Sequence, residues 1–243
     1  MLSNFTWPLI GGGMLAIAGG AAGYYATYGV RSQWLGPSDW HGRSDTSSIA
    51  LTFDDGPSQD TERILDILGE HNVSASFFMI GRQVETFPGI AQRVLAERHE
   101  IGNHSYSHPI YLYQRAWTTR EELERTQAVI SATTGIRPRF ARPPCGVRTP
   151  AYFAMARSLG LRTVQWDVAG FDWKRRSARQ IATDVLNRVQ AGSIVLLHDG
   201  DSDGKQDRRE TVAALPLIVE GLQEKGLHVA PLNELLSKFD VAA

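Results

Sequence analysis

Ile49-Ala50-Leu51-Thr52-Phe53, followed at once by Asp54-Asp55-Gly56-Pro57, is a short apolar and β-branched run that ends on two carboxylates. The run reads as a buried strand. Six more of the same kind follow, at Ala75 to Ile80, His99 to Gly102, Arg139 to Ala141, Leu161 to Trp166, Ser193 to Leu197 and Leu227 to Ala230. Helical patterns separate them. Thr61 to Glu70 puts Ile64, Leu65, Ile67 and Leu68 on one face, and Thr118 with Glu121 reads as a capping box ahead of Leu123 and Ile130. Thr149-Pro150 is an N-cap and first-turn pair for a helix stopped by Gly160, and further helices are expected near Ser177 to Gln190 and Arg208 to Lys225. Strand and helix alternating in this way imply right-handed βαβ crossovers, hence an α/β chain with a mainly parallel sheet. Periodicity does not separate an open sheet from a closed one, but the polar motifs do bear on it. Asp54 with Asp55, His104 with His108, Arg142, Asp167 to Trp173, and His198 with Asp199 each follow a different strand candidate. In a parallel barrel such positions converge on one rim, where active sites are built, and this favours barrel-like closure.

The 243 residues, 42% hydrophobic and 21% charged, suffice for one domain with a large core. A net charge of -1 leaves no broad electrostatic footprint for nucleic acid, which argues against a phosphate-tracking role. Cys145 is the single cysteine, so neither an intrachain disulfide nor a multi-cysteine zinc site is available. A metal must therefore use His and carboxylate ligands. The expected organisation is an apolar N-terminal segment over residues 1–30, a linker over 31–47 and a catalytic domain over 48–243. Trp7 to Val30 carries no charge and is long enough to cross a bilayer as a helix. It reads as a membrane anchor in preference to a cleaved signal, because Met1 to Thr6 has no Lys or Arg, and in preference to a Gly-rich segment packed on the domain, because of its length. Tyr24, Tyr25 and Tyr28 at its end suit an interfacial belt. Arg31 and Arg43 follow the segment, and by the positive-inside rule they would leave the domain cytoplasmic.

Taken alone, Asp54-Asp55-Gly56-Pro57 describes an ordinary turn after a strand. The histidine pair changes its weight. His104-Ser105-Tyr106-Ser107-His108-Pro109 spaces two imidazoles so that both can reach one ion, and Gly102 and Pro109 place them on a short turn instead of a long helix. Two imidazoles and one carboxylate suit a zinc-type ion with an open position, and the second aspartate is left free to take a proton. Arg142-Pro143-Pro144-Cys145-Gly146 is a rigid loop whose arginine can grip a carboxylate. His198 ends a buried-strand pattern, and Asp199 beside it reads as a loop cap.

These motifs, in this order and spacing, resemble polysaccharide deacetylases of the NodB-homology type, carbohydrate esterase family 4, over roughly Ser48 to Ser237. The carrying residues are Thr52-Phe53-Asp54-Asp55-Gly56-Pro57, His104-Ser105-Tyr106-Ser107-His108, Arg142-Pro143-Pro144-Cys145-Gly146, Asp172-Trp173 and Leu196-Leu197-His198. The resemblance implies a distorted (β/α)7-type barrel, here with an N-terminal apolar helix, and removal of N-acetyl groups from a sugar polymer such as peptidoglycan or a chitin-like chain. It implies Asp54 as general base, Asp55, His104 and His108 as ligands of Zn2+, with Co2+ or Ni2+ as alternatives, and Arg142 as the residue orienting Asp54. It further implies the Cys145 backbone N–H as an oxyanion donor, His198 as general acid held by Asp172, and Trp173 and Leu196 as the acetyl pocket. The implied setting is a domain anchored at the membrane and facing the cell envelope, which conflicts with the orientation that Arg31 and Arg43 suggest. Two departures stand out. Cys145 occupies a position where the family usually has a large aromatic, and Ala169 one where it often has a further aspartate, for which Asp167 is the candidate substitute. Alternative readings are a deformylase or deacetylase of a lipid-linked sugar, and a carbohydrate-binding pseudoenzyme.

Overall fold

The computed structural model describes residues 19–237. Its centre is β1 (Ser48–Asp54), buried on both faces after its first residue, as expected of a strand inside a parallel sheet. Seven strands run in the order β5-β4-β3-β2-β1-β7-β6, every pair parallel, and curl into a half-barrel with helices outside. They are β2 (Ser76–Met79), β3 (Glu100–Asn103), β4 (Phe140–Ala141), β5 (Arg162–Thr163), β6 (Val168–Ala169) and β7 (Ile194–His198). An eighth, β8 (His228–Val229), pairs with the first two residues of β1.

Alternation along β1 and β7 sorts core from chemistry, because successive side chains point to opposite faces. Ile49, Leu51 and Phe53, with Val195 and Leu197, face outward into the main core. There they meet Ile64, Leu65 and Leu68 of α2 (Gln59–Glu70) and Leu215, Ile218, Val219 and Leu222 of α8 (Arg209–Glu224). Complete burial of each such side chain contributes about 1.5–3 kcal/mol. The alternate residues Thr52, Asp54, Leu196 and His198 are left facing the barrel interior. The register sets Thr52 beside Leu196 and Asp54 beside His198.

Several expectations are corrected in detail. Leu161 to Trp166 is not one strand: β5 covers Arg162–Thr163 and the chain enters β6 at Val168 with no helix between them. Asp167, before β6, accepts from the Ile194 N–H (2.7 Å) and the Ser193 hydroxyl (2.9 Å), at the opposite end of β7 from His198. It therefore cannot stand in for an acid at Ala169. The Thr118–Glu121 capping box is absent, because α5 (Ala116–Thr134) starts earlier, from Arg115 without a side-chain cap. Ser58 instead caps α2 in a capping box with Thr61, and Thr149 caps α6 (Pro150–Ser158) as expected. Two helices were not anticipated, α3 (Gly81–Thr86) and α4 (Pro88–Ala96), while α7 (Ala178–Leu186) falls within its expected range.

The segment before β1 lies against the barrel. Asp39 bridges Val164 beside β5 and His41 bridges Ser193 at the base of β7, so residues 39–41 cross the open side. Helix α1 (residues 19–28) precedes it, and its end is tied down by Arg148. The buried Arg148 donates its backbone N–H to Thr27 O (3.2 Å) and its guanidinium to the carbonyls of Gly29, Val30 and Ser32. No helix among the described residues is long and apolar enough to cross a membrane. Half of the anchor expected over Trp7–Val30 falls outside the described residues, and the described part gives it no support.

Candidate active site

Asp54 closes β1 on the inner face, and Asp55 leaves the strand with φ 76°, a left-handed conformation that aspartate tolerates better than most residues. Residues 199 and 200 brace this turn. The fully buried Asp199 accepts the Gly56 N–H (3.0 Å) and the Thr61 hydroxyl (2.6 Å), and its own N–H donates to Asp54 O (3.1 Å). A Cβ on Gly56 would sit 2.0 Å from the Asp199 carboxylate, and one on Gly200 2.4 Å from Asp55 O, so both approaches require glycine. Burial pushes the Asp199 carboxyl up to about 7 against the Thr61 hydrogen bond, and Asp55 adds to the rise. Sequence reading gave Asp199 only a loop cap; its position next to His198 was the available signal. Asp199→Ala strands a buried N–H and hydroxyl at about 1–3 kcal/mol each, so thermal unfolding should show Tm lower by roughly 4–24 °C. An unchanged Tm would remove this bracing role.

The histidines lie on the turn after β3. Ser105 (φ 66°) and His108 (φ 61°) are both left-handed, which winds the loop tightly enough to return the second imidazole beside the first, ring centroids 5.0 Å apart. Glu122 of α5 fixes this winding by accepting the N–H groups of Tyr106 (2.8 Å) and Ser107 (2.7 Å), a role with no sequence signal. His104 Nδ1 bonds Arg142 O at 2.8 Å, so that nitrogen carries the proton and Nε2 presents a lone pair. Asp55 Oδ1 lies 3.4 Å from His104 Nε2 and 3.2 Å from His108 Nε2. The oxygen is buried and has no hydrogen-bond partner. One ligand atom from each of the three residues falls within 4.8 Å of the others, so the set fits a divalent cation, which satisfies three converging acceptors together.

Electrostatics agree with that geometry. Burial alone would raise Asp55, but the close approach and charge of His104, with His108 and His198 behind, hold it well below the usual carboxylate range. Burial and the neighbouring His104 push His108 down to about 4, leaving it neutral and able to ligate. Burial opposes charge on His104 too, but Asp54 and Asp55 outweigh it and raise the group.

Arg142, buried at the end of β4, reaches Asp54 Oδ1 (2.7 Å) and the Thr52 hydroxyl (2.8 Å) through Nη1 and Gln165 O (3.0 Å) through Nη2. Across the cleft His198 Nδ1 pairs with Asp172 Oδ1 at 2.8 Å, and Asp172 Oδ2 accepts the His198 N–H (2.7 Å) and the Thr211 hydroxyl (2.9 Å). Burial disfavours charge on His198, but the Asp172 charge and hydrogen bond, joined by Asp55 and Asp54, push it up to about 9. Trp173 stands edge-on to His198 at 5.3 Å. Cys145 has φ 55° and an N–H that finds no acceptor among the described residues. The residue is exposed, yet partial desolvation of the thiol, then the charges of Asp55 and Asp54, raise its pKa.

Of the residues singled out from sequence, Asp54, Asp55, His104, His108, Cys145, Trp173, Leu196 and His198 line one cleft of about 370 Å³. Arg142 and Asp172 are buried behind it. Asp201, Gln206 and Arg208, from the charged run between Asp201 and Glu210 that reads in sequence as a solvated loop or a substrate-facing rim, complete its rim. Ala169 is buried on β6 and paired with Leu196.

Carboxylates, imidazoles and a buried Asp–His pair gathered at the C-terminal rim of a parallel barrel are the equipment of a hydrolase. The polysaccharide deacetylase family profile matches residues 41–164. A chitooligosaccharide deacetylase of Bradyrhizobium sp. (strain ANU 289) is 38% identical over 201 residues, spanning 79% of this chain and 92% of that protein. A peptidoglycan-N-acetylglucosamine deacetylase of Bacillus cereus is 37% identical over 195 residues, 80% of this chain and 70% of its own. The crystal structure of the Bc1960 peptidoglycan N-acetylglucosamine deacetylase superposes with TM-score 0.79 at 35% identity, covering 82% of this chain and 92% of that one. The chain belongs to the polysaccharide deacetylase family, and it is an enzyme hydrolysing carbon–nitrogen amide bonds. The fold also hosts a Bacillus anthracis pseudoenzyme, which matches with TM-score 0.73 at 30% identity over 81% of this chain and 67% of that one.

Proposed function

We propose that this chain removes acetyl groups from N-acetylglucosamine units of a peptidoglycan or chitin-like polymer, using a water activated at a divalent ion, zinc by its donor set. The observation that carries the reading is the convergence of Asp55, His104 and His108 on one point, with Asp54 beside it and the His198–Asp172 pair across the same cleft. The substrates of the relatives point to the same polymers and to the cell envelope as the place of action. The residues of the reaction all fall within the catalytic domain expected over residues 48–243, and the segment before Ser48 packs against it.

Asp55, His104 and His108 would hold the ion, which when bound would lower the pKa of a water and polarise the acetyl carbonyl. Asp54, held at Oδ1 by Arg142, takes the proton of the attacking water at its other oxygen. The Cys145 N–H donates to the carbonyl oxygen as negative charge builds there. His198, protonated at neutral pH, gives its proton to the departing amine, while Asp172 keeps the imidazole oriented and charged. Trp173 and Leu196 enclose the methyl group.

Acetate release from chitin oligomers and peptidoglycan, with and without chelator, tests the reading. Release that stops with chelator and returns with Zn2+ or Co2+ is expected; substrate binding with no acetate after long incubation in either ion would overturn it. Because Asp172 is the leading cause of the raised His198 pKa, Asp172→Asn should move the alkaline limb of kcat against pH from near 9 toward 6.5, the ordinary value. A limb that stays in place would remove His198 from proton delivery.

A further inference from the structure

The cleft of about 370 Å³ lies at the small end of ligand pockets, so a polymer chain must rest most of its rings on the rim. On the side walled by His108 and Cys145, the rim continues into a set of aromatic faces drawn from two distant segments. The Tyr28 phenol, on α1, lies near that of Tyr113, on the loop after His108, and Tyr24 stacks on Tyr28 with centroids 4.8 Å apart at 17°. Tyr24 and Tyr113 remain 68% and 73% exposed. Cys145 stands between this set and the reacting groups: it lines the cleft with Asp54 and Asp55, and three residues on, the Arg148 N–H holds Thr27 O, next to Tyr28 (3.2 Å). Scattered surface aromatics need no explanation, but stacking two of them beside a third costs side-chain entropy. Arg148 fixes the arrangement by clamping the end of α1 beside the Cys145 loop.

We infer that Tyr24, Tyr28 and Tyr113 form a distal sugar-binding platform, taking the pyranose rings of the polymer that neighbour the unit in the cleft. The occupant is argued from continuity with the cleft and from chemistry. Flat aromatic faces match the apolar C–H faces of a pyranose, and phenol hydroxyls at their edge match its hydroxyls. The inference rests on the proposed function, since it names where the rest of that substrate lies. Helix α1, outside the barrel, thereby becomes part of the substrate site.

The test uses the full chain with Tyr24→Ala and Tyr113→Ala, and chitin dimer against chitin hexamer. The ratio of kcat/KM for hexamer over dimer should fall roughly three- to tenfold in each variant, mostly through KM, the size expected for one aromatic stacking contact. Leu217→Ala, an exposed apolar residue on α8, should keep the wild-type ratio. Equal losses on both lengths would reduce the tyrosines to a structural role. An unaltered ratio together with lost binding to phosphatidylglycerol vesicles would make the surface a membrane contact, and either result overturns the inference. Hexamer binding measured calorimetrically separates the two readings. If the wild type releases no acetate, the proposed function fails, while the platform stands or falls on whether hexamer binds the variants at least threefold more weakly.

Discussion

Asp54→Asn is expected to bind Zn2+ as the wild type does and to lose roughly 10²- to 10⁴-fold in kcat, the usual cost of removing a positioned acid or base. The substitution keeps the shape of the site, because the asparagine Oδ1 still accepts from Arg142 Nη1 at the place where Asp54 Oδ1 now does, 2.7 Å away. The carboxylate oxygen that would take the proton is replaced by an amide that cannot. Asp54 is near the ion-binding set, 3.8 Å from His104 Nε2, without belonging to the triangle around Asp55 Oδ1. Calorimetric Zn2+ titration beside acetate release checks both halves. Metal affinity lost together with activity would make Asp54 a ligand and not a base.

His104→Ala should fail in both respects. It removes one of three donors and also the imidazole that bonds Arg142 O, leaving that buried carbonyl without its partner. Loss of a residue that merely orients a ligand costs about 10- to 100-fold in metal affinity, so loss of a ligand should exceed about 100-fold. Asp55 would then face His108 alone. Full chelator-sensitive deacetylase activity in purified His104→Ala would show the metal assignment to be wrong.

What could be read from the chain, and what could not, divides along a physical line. The apolar runs announced their strands because burial on both faces demands it, and the motif residues followed because a parallel strand delivers whatever ends it to one rim. Asp54 and His198 meet for that reason, and their pairing in register is visible only once β1 and β7 are adjacent. Residues acting through hydrogen bonds to a distant backbone left little trace. Asp199 and Glu122 brace two loops by accepting N–H groups, and any acidic residue near a helix or turn looks the same in sequence. The placement of Asp167 failed for a related reason. Two-residue β6 has no periodicity to detect, so a residue preceding a strand was read as one following it.

Arg148 bears on where the chain can be cut. Its buried guanidinium has its oxygen acceptors at Gly29, Val30 and Ser32, and the seam beside β5 is crossed by residues 39–41. An expression version trimmed to begin at Ser48 would keep every motif residue, yet leave a cation inside the protein with no counter-dipole. That situation typically costs about 3–5 kcal/mol, a large share of a domain's margin. Boundaries drawn by motif alone would therefore weaken the fold while leaving the active-site sequence intact.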